Sequence, residues 1–169
     1  YVAGLMDTDG SFSLKKENRS SKTGSISPVF TPMILITMVD CRAIYYIMNN
    51  FVGGSTCVVN AKTASNGFCY RFSINSKKNV QRFLEKIMPF LTVKKEAAQE
   101  LLNFCTTKLT SNRKKGTSPE ELLFKETVYE RIKKLNYGVY KSSLMDLKLL
   151  PGDAGDNKAQ AAKACSVTD

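Results

Sequence analysis

The stretch Val2-Ala3-Gly4-Leu5-Met6-Asp7-Thr8-Asp9-Gly10-Ser11 joins a small-residue helix face to two acids at the helix end. Ala3 and Gly4 would let a second helix backbone approach closely. Asp9 and Gly10 are predicted to end the helix just before a strand. A carboxylate there faces the negative end of the helix dipole, which suggests a use. Such an acid at a helix seam suits a divalent metal, although Asp7 and Asp9 could also only end the helix before a Gly10 cap.

This stretch resembles the signature of the LAGLIDADG homing endonucleases, with Val2, Met6 and Thr8 in place of the usual Leu, Ile and Ala. In that family, helices carrying two copies of the motif pack together, and the last acid of each binds catalytic metal against DNA. The resemblance implies that Asp9, with the backbone carbonyl of Thr8, binds Mg²⁺ or another divalent ion such as Mn²⁺ or Ca²⁺. It leaves Asp7 a supporting part. It also implies a helix-helix interface formed by Val2, Ala3, Gly4, Met6 and Asp7.

Two later stretches resemble the single-motif, homodimeric branch of the same family. They are Pro89-Phe90-Leu91 with Lys94 and Ala98, and Ser118-Pro119 through Leu135-Asn136, so the resemblance covers roughly residues 1 to 136. It implies that Lys94 is a second catalytic residue beside the metals. It also implies that Thr37, at the end of the second strand, orders solvent near the nucleophilic water.

The acid motif occurs once, so a metal centre with two such acids needs a second copy of the chain. The sequence therefore predicts a homodimer with the two first helices side by side at a two-fold axis. A two-fold protein favours a pseudo-palindromic target, because the half-sites mirror the protein symmetry.

The composition favours a polyanionic partner. Lys and Arg number 25 against 15 Asp and Glu, a net charge of +10 in 169 residues. This excess favours nucleic acid, with solvated surface lysine as the alternative. The chain has no histidine, which excludes zinc hydrolases with His ligands, Ser-His hydrolases and nucleases with a His general base. Its five cysteines include no C-x-x-C pair and are expected to stay reduced.

The chain reads as one soluble domain over residues 1–150, followed by a tail over 151–169 that is expected to be flexible. No apolar run approaches the roughly 18 residues of a membrane span, and no signal-peptide pattern is visible, so no membrane partner is expected. The chain begins at Tyr1 in what reads as mid-helix, and residues of the natural N-terminus are expected to be missing. The compartment stays open; an intron-encoded enzyme of a chloroplast or mitochondrion is one expectation from the resemblance.

The order of patterns predicts an α+β fold. Alternating residues predict a strand that begins at Ser11, and an apolar run predicts another from about Val29 to Thr37, with a loop or long hairpin tip at 18–28. A helix capped by Asp40 follows, then two strands around Ser65-Asn66-Gly67, then a helix over 80–87. This is the αββαββα order of the resembled family: a four-stranded antiparallel sheet with helices on one face. Further helices are predicted over about 94–108 and from Pro119 to about Asn136.

The exposed face of this sheet could follow a DNA groove, although an ordinary solvated face is the alternative. Ser13 is a predicted DNA-binding residue of this face, and the predicted base-reading residues are Lys15, Glu17, Asn60, Lys62, Arg71, Ser73 and Asn75. The predicted phosphate-contacting residues are Arg19, Lys22, Arg113, Lys114 and Lys115.

The resulting hypothesis is a Mg²⁺-dependent homing endonuclease that cleaves both strands of duplex DNA across the minor groove. Two alternatives remain: an RNA-binding intron maturase, and a DNA-binding module of the same fold without cleavage. Loss of the motif acids would favour the maturase, yet Asp7 and Asp9 are both present. The presence of Asp9 and Lys94 counts against the second alternative.

Overall fold

The computed structural model describes residues 1–20, 26–60, 67–108 and 117–149, with the side chains of the last helix described as far as Tyr137. The described helices and strands are, in chain order, α1 Val2–Thr8, β1 Gly10–Ser20, β2 Ile26–Met38, α2 Cys41–Asn50, β3 Ser55–Asn60, β4 Phe68–Ile74, α3 Lys77–Ile87, α4 Lys95–Thr106 and α5 Pro119–Leu149. A short 3₁₀ turn, Met88–Phe90, joins α3 to the segment that leads into α4. The predicted α+β class and αββαββα order are confirmed.

The four strands form one antiparallel sheet in the order β1-β2-β4-β3. In β1 and β2, Phe12 pairs with Ile34 on the side that faces the helices, and both side chains are fully buried. The same side continues into β4 through Ile74, which pairs with Ile34. The predicted alternation of β1 and β4 is therefore confirmed. One face of the sheet is therefore packed into the core.

Helices α2, α3 and α4 supply the other half of the core. In α3 the residues Val80, Phe83, Leu84 and Ile87 are all buried, as their helical spacing predicts. Burying each such side chain stabilises the fold by about 1.5–3 kcal/mol relative to exposure. Helix α2 begins at its predicted cap, where the Asp40 carboxylate accepts from the backbone N–H of Arg42.

Two elements are longer than their patterns indicate. The segment 18–28 was predicted to be a loop or long hairpin tip, but β1 continues to Ser20 and β2 begins at Ile26. Ladder hydrogen bonds with the partner strand outweigh the poor strand propensity of these polar residues. Helix α5 runs to Leu149 rather than Asn136.

The chain divides into two units, Tyr1–Tyr137 and Gly138–Asp169. The first contains the sheet, α1 to α4 and α5 as far as Tyr137. Of the second, the helical backbone up to Leu149 is described. The predicted domain limit near residue 150 stays a prediction. None of the described helices is long and apolar enough to cross a membrane.

Candidate functional site

Asp9 lies at the exposed C-terminal end of α1. Its backbone N–H closes the helix on the Leu5 carbonyl at 2.9 Å, and its Oδ2 accepts from the Thr8 hydroxyl at 3.1 Å. Both Thr8 and Asp9 are exposed. The carboxylate therefore stands in solvent at the negative end of the helix, where it is unfavourable unless a cation is near.

The other acid of the motif, Asp7, accepts hydrogen bonds from backbone amides within the chain. Its Oδ2 accepts from the backbone N–H of Thr92 at 2.8 Å, and its Oδ1 accepts from those of Val93 at 3.2 Å and Lys94 at 2.9 Å. These amides lie at the N-terminal end of α4, whose N-cap is Lys94. Asp7 thus supplies the acceptor that a lysine at the N-cap cannot supply itself.

Lys94 returns the contact with its side chain. Its Nζ donates to the carbonyl oxygens of Met6 at 3.2 Å, Thr8 at 2.9 Å and Gly10 at 2.7 Å. All three N–H donors of the ammonium group are therefore used on the end of α1. Burial lowers the pKa of Lys94, and the charges of Asp7 and Asp9 oppose that shift. The Lys94 ammonium group therefore supplies positive charge at the negative end of α1.

The donor atoms at this end of α1 suit a hard divalent cation, which prefers carboxylate and carbonyl oxygen. Asp9 offers an exposed carboxylate, and the Thr8 carbonyl has a second lone pair beside the one that Lys94 occupies. Among the described residues, however, no group of three or more His, Cys, Asp or Glu side chains could hold a metal.

Thr37 lies at the same end of the sheet as Asp9. The register places Gly10 opposite Ile36, so the residue after Ile36 falls beside the start of β1. Thr37 pairs with Arg71 of β4, and its Oγ1 accepts a long hydrogen bond of 3.4 Å from Arg71 Nε. The structure thus brings a predicted catalytic residue and a predicted DNA-binding residue together.

The sheet face opposite the core carries most of the predicted DNA-binding residues that the structure describes. We call it the open face, and it includes Ser13, Lys15, Glu17, Arg19, Arg71 and Ser73. Glu17 pairs with Lys15 at 2.5 Å and lies 3.7 Å from Arg19. The hydrogen bond from Lys15 is the main cause of a lowered Glu17 pKa. One acid therefore offsets two cations on this face.

Other predicted contacts fall elsewhere. Asn60 pairs with Phe68 and shares the side of the sheet with Phe72, so the register does not bring it together with Arg71. Asn75 is exposed just beyond β4. Lys22, Lys62, Arg113, Lys114 and Lys115 lie outside the described residues.

Few of the residues predicted to form the helix-helix interface are exposed in the fold. Val2, Ala3 and Met6 are buried in the chain's own core at 8%, 6% and 0% exposure, so they are not free to meet another helix. Asp7 is occupied by the backbone contacts above. Gly4 alone of that set is exposed, and a Cβ built on it meets nothing within 4 Å.

Two features of the site were not anticipated from the sequence. One is the set of backbone groups that joins α1 to the start of α4; a lysine at an N-cap is a signal, since such a position calls for an acceptor from elsewhere. The other is Asn136 of α5, whose Nδ2 donates to the Phe12 carbonyl of β1 at 2.9 Å. That bond satisfies one backbone carbonyl of β1, which is an edge strand of the sheet.

The model of the family described as LAGLIDADG endonuclease matches residues 2–108. That span includes α1, the whole sheet, Lys94 and α4. No curated protein matches the sequence.

Solved structures of homing endonucleases share the fold. I-CvuI in complex with the I-CreI target in the presence of Mg superimposes with a TM-score of 0.61 at 18% identity, covering 79% of this chain and 78% of that one. I-CvuI in complex with its own target in the presence of Ca superimposes with a TM-score of 0.61 at 17% identity, covering 97% of this chain and 88% of that one. The archaeal intron-encoded I-Vdi141I complexed with DNA superimposes with a TM-score of 0.61 at 17% identity, covering 87% of this chain and 95% of that one.

Proposed function

The chain belongs to the LAGLIDADG endonuclease family, and from that membership we propose that it is a homodimeric, Mg²⁺-dependent homing endonuclease. It hydrolyses phosphodiester bonds in both strands of a long, pseudo-palindromic duplex, across the minor groove. The observation that carries this proposal is the exposed Asp9 carboxylate at the end of α1, next to the ammonium group that Lys94 holds on the Met6, Thr8 and Gly10 carbonyls.

Asp9 and the Thr8 carbonyl of each subunit would hold the metal, together with phosphate oxygens of the DNA. Bound Mg²⁺ supplies Lewis acidity that activates water and offsets charge on the phosphate. Lys94 contributes fixed positive charge beside the reacting phosphate; its N–H donors are already used, so it acts through its field. Thr37 lies at the same end of the sheet and can order solvent. With no histidine in the chain, the proton leaves through ordered water.

The exposed side of α1 supports the homodimer. Gly4 has open space around it and costs a helix roughly 0.5–1 kcal/mol relative to Ala, so its own fold gives no reason for it. The close approach of the partner subunit's α1 at this position would be such a reason. Apolar side chains beside α1 are also exposed: Tyr46, whose ring meets that of Tyr1 edge to face at 5.2 Å, and Val93, whose amide binds Asp7.

The open face supports binding in the major groove. Its side chains of both signs and its hydroxyls alternate along the strands, as base reading requires. The excess of 25 basic over 15 acidic residues supports the affinity for the phosphate backbone.

The experiment uses a pool of random duplexes, Mg²⁺, and sequencing of the cleaved ends. Wild type should yield paired cuts in related, nearly palindromic sites, and Asp9→Asn should bind these sites without cutting them. Asp40→Asn is the matched control, because it makes the same change at a helix cap to which the proposal gives no part in cleavage, and it should cleave as wild type.

Three outcomes would overturn the proposal. Binding of duplex DNA without a double-strand break would favour a non-catalytic module, and selective binding of intron RNA would favour a maturase. A monomer on cleaved DNA would contradict the homodimer.

A further inference from the structure

We propose that Asp7 is a positioning residue of the active site, which sets the place of Lys94 by holding the backbone of residues 92–94. This inference rests on the proposed function, in which the charge of Lys94 is used. It assigns the first acid of the motif a part separate from metal binding.

Three consecutive amides meet one carboxylate. Asp7 takes both Val93 and Lys94 on one oxygen and Thr92 on the other, at 2.8–3.2 Å. Hydrogen bonds to a charged acceptor contribute about 1.5–3 kcal/mol, more than neutral pairs. The bonded residues lie 85 to 87 positions apart in sequence, so this carboxylate ties the turn before α4 to α1.

The contact is reciprocal, and this distinguishes it from an ordinary helix cap. Asp7 holds the main chain of Lys94, and the side chain of Lys94 reaches back to the carbonyls on either side of Asp7, those of Met6 and Thr8, and on to Gly10. The ammonium group therefore lies where the backbone of Lys94 permits. A shift of that backbone would move the charge away from Asp9.

Asp7 is poorly placed to serve as a metal ligand itself. Each of its oxygens already accepts at least one amide, whereas Asp9 accepts only the Thr8 hydroxyl among the described contacts. Replacing Asp7 by Asn would remove the negative charge that accepts these amides and turn an amide donor toward a backbone N–H.

The test is a double-mutant cycle of Asp7→Asn and Lys94→Gln, read as the single-turnover cleavage rate with Mg²⁺ at saturating enzyme. Asp7→Asn should lower the rate by about 10- to 100-fold, as loss of a supporting contact does, with little change in DNA affinity. In the Lys94→Gln background the same change should cost less than about threefold, because its effect passes through Lys94. Asp7→Glu, which keeps the charge, should recover part of the rate.

A matched control separates positioning from stability. Ser118→Ala removes another helix cap, the bond from Glu121 N to Ser118 Oγ at 3.2 Å, on α5. It should lower stability by about 0.5–2 kcal/mol and leave the cleavage rate unchanged.

A second measurement does not depend on cleavage. The rate at which an amine reagent modifies Lys94, followed by peptide mass spectrometry, should rise several-fold in Asp7→Asn and stay low in Ser118→Ala. Equal rate losses in both Lys94 backgrounds, or unchanged labelling of Lys94, would overturn the inference. If wild type does not cleave DNA, the proposed function fails, and the labelling still decides whether Asp7 positions Lys94. Should Asp7→Asn not fold, Asp7→Glu takes its place in both measurements, and it should show smaller changes in the same direction because its longer side chain displaces the carboxylate from the amides of residues 92–94.

Discussion

Arg71 Nε donates to Thr37 Oγ1 at 3.4 Å across the β2 and β4 strands, at the end of the sheet where α1 meets β1. The bond is long, but it orients a planar cation that can read a guanine edge. The Thr37 hydroxyl therefore has a use within the chain, which is to hold Arg71.

Replacing Thr37 by Val should lower the cleavage rate about two- to tenfold, the cost of one modest hydrogen bond. The loss should be smaller in an Arg71→Ala background, because the part that passes through the hydrogen bond to Arg71 is then gone. Single-turnover cleavage rates on one selected target measure the loss in each background. Thr127→Val on α5 removes a hydroxyl bonded to the Leu123 carbonyl and should change nothing. An equal loss in both backgrounds would mean that the bond to Arg71 contributes nothing to cleavage.

Replacing Glu17 by Gln should strengthen nonspecific binding to duplex DNA, because Glu17 offsets both Lys15 and Arg19 on the open face. Two freed cations should steepen the slope of log K against log salt by up to about 2 per chain. Titrations at several salt concentrations measure it.

Glu126→Gln provides the control for that measurement. It frees Lys16, whose ammonium lies over the rings of Phe30 and Tyr129 rather than on the open face. An equal change of slope in this variant would contradict the assignment of the open face to DNA.

Much of the fold follows from local pattern. The helical spacing of Val80 to Ile87, the alternation of β4 and the Asp40 cap each describe one element against one face, so short-range physics decides them. The family resemblance identified Asp9 and Lys94 by their positions in the motifs. In the structure, the Asp9 carboxylate and the Lys94 ammonium group both lie at the end of α1.

The rest depends on contacts between distant parts of the chain. Neither Asp7 nor Lys94 has a sequence neighbour that reveals their reciprocal bonds, since some 87 residues separate them. The burial of Met6 in its own core was missed for the same reason: a seven-residue helix has too few turns to show which side faces inward.

Acid should remove the advantage that Asp40 gives to α2. Arg42 bonds lower the pKa of the Asp40 carboxyl from 3.8 to about 2. A lowered carboxyl pKa stabilises the fold fully above pH 3.8, and the contribution is lost as the pH falls toward 2. The Tm of wild type should therefore exceed that of Asp40→Asn at pH 6 and match it near pH 2. Arg42→Gln should abolish most of this pH dependence, and a Tm difference that stays constant with pH would refute it.

The two glycines of the motif should respond oppositely to alanine. At Gly10 an added Cβ would lie 2.7 Å from the Met6 Cα, so α1 or β1 must move and Asp9 with them. Gly10→Ala should therefore lower both stability and cleavage. At Gly4 the added methyl meets nothing in its own chain, so Gly4→Ala should leave the monomer fold intact or stabilise it by about 0.5–1 kcal/mol, while it opens the seam between subunits. Sedimentation should then show weaker dimerisation for Gly4→Ala with an unchanged circular dichroism spectrum. A Gly4→Ala protein that dimerises as tightly as wild type would mean that α1 does not meet its copy at this position.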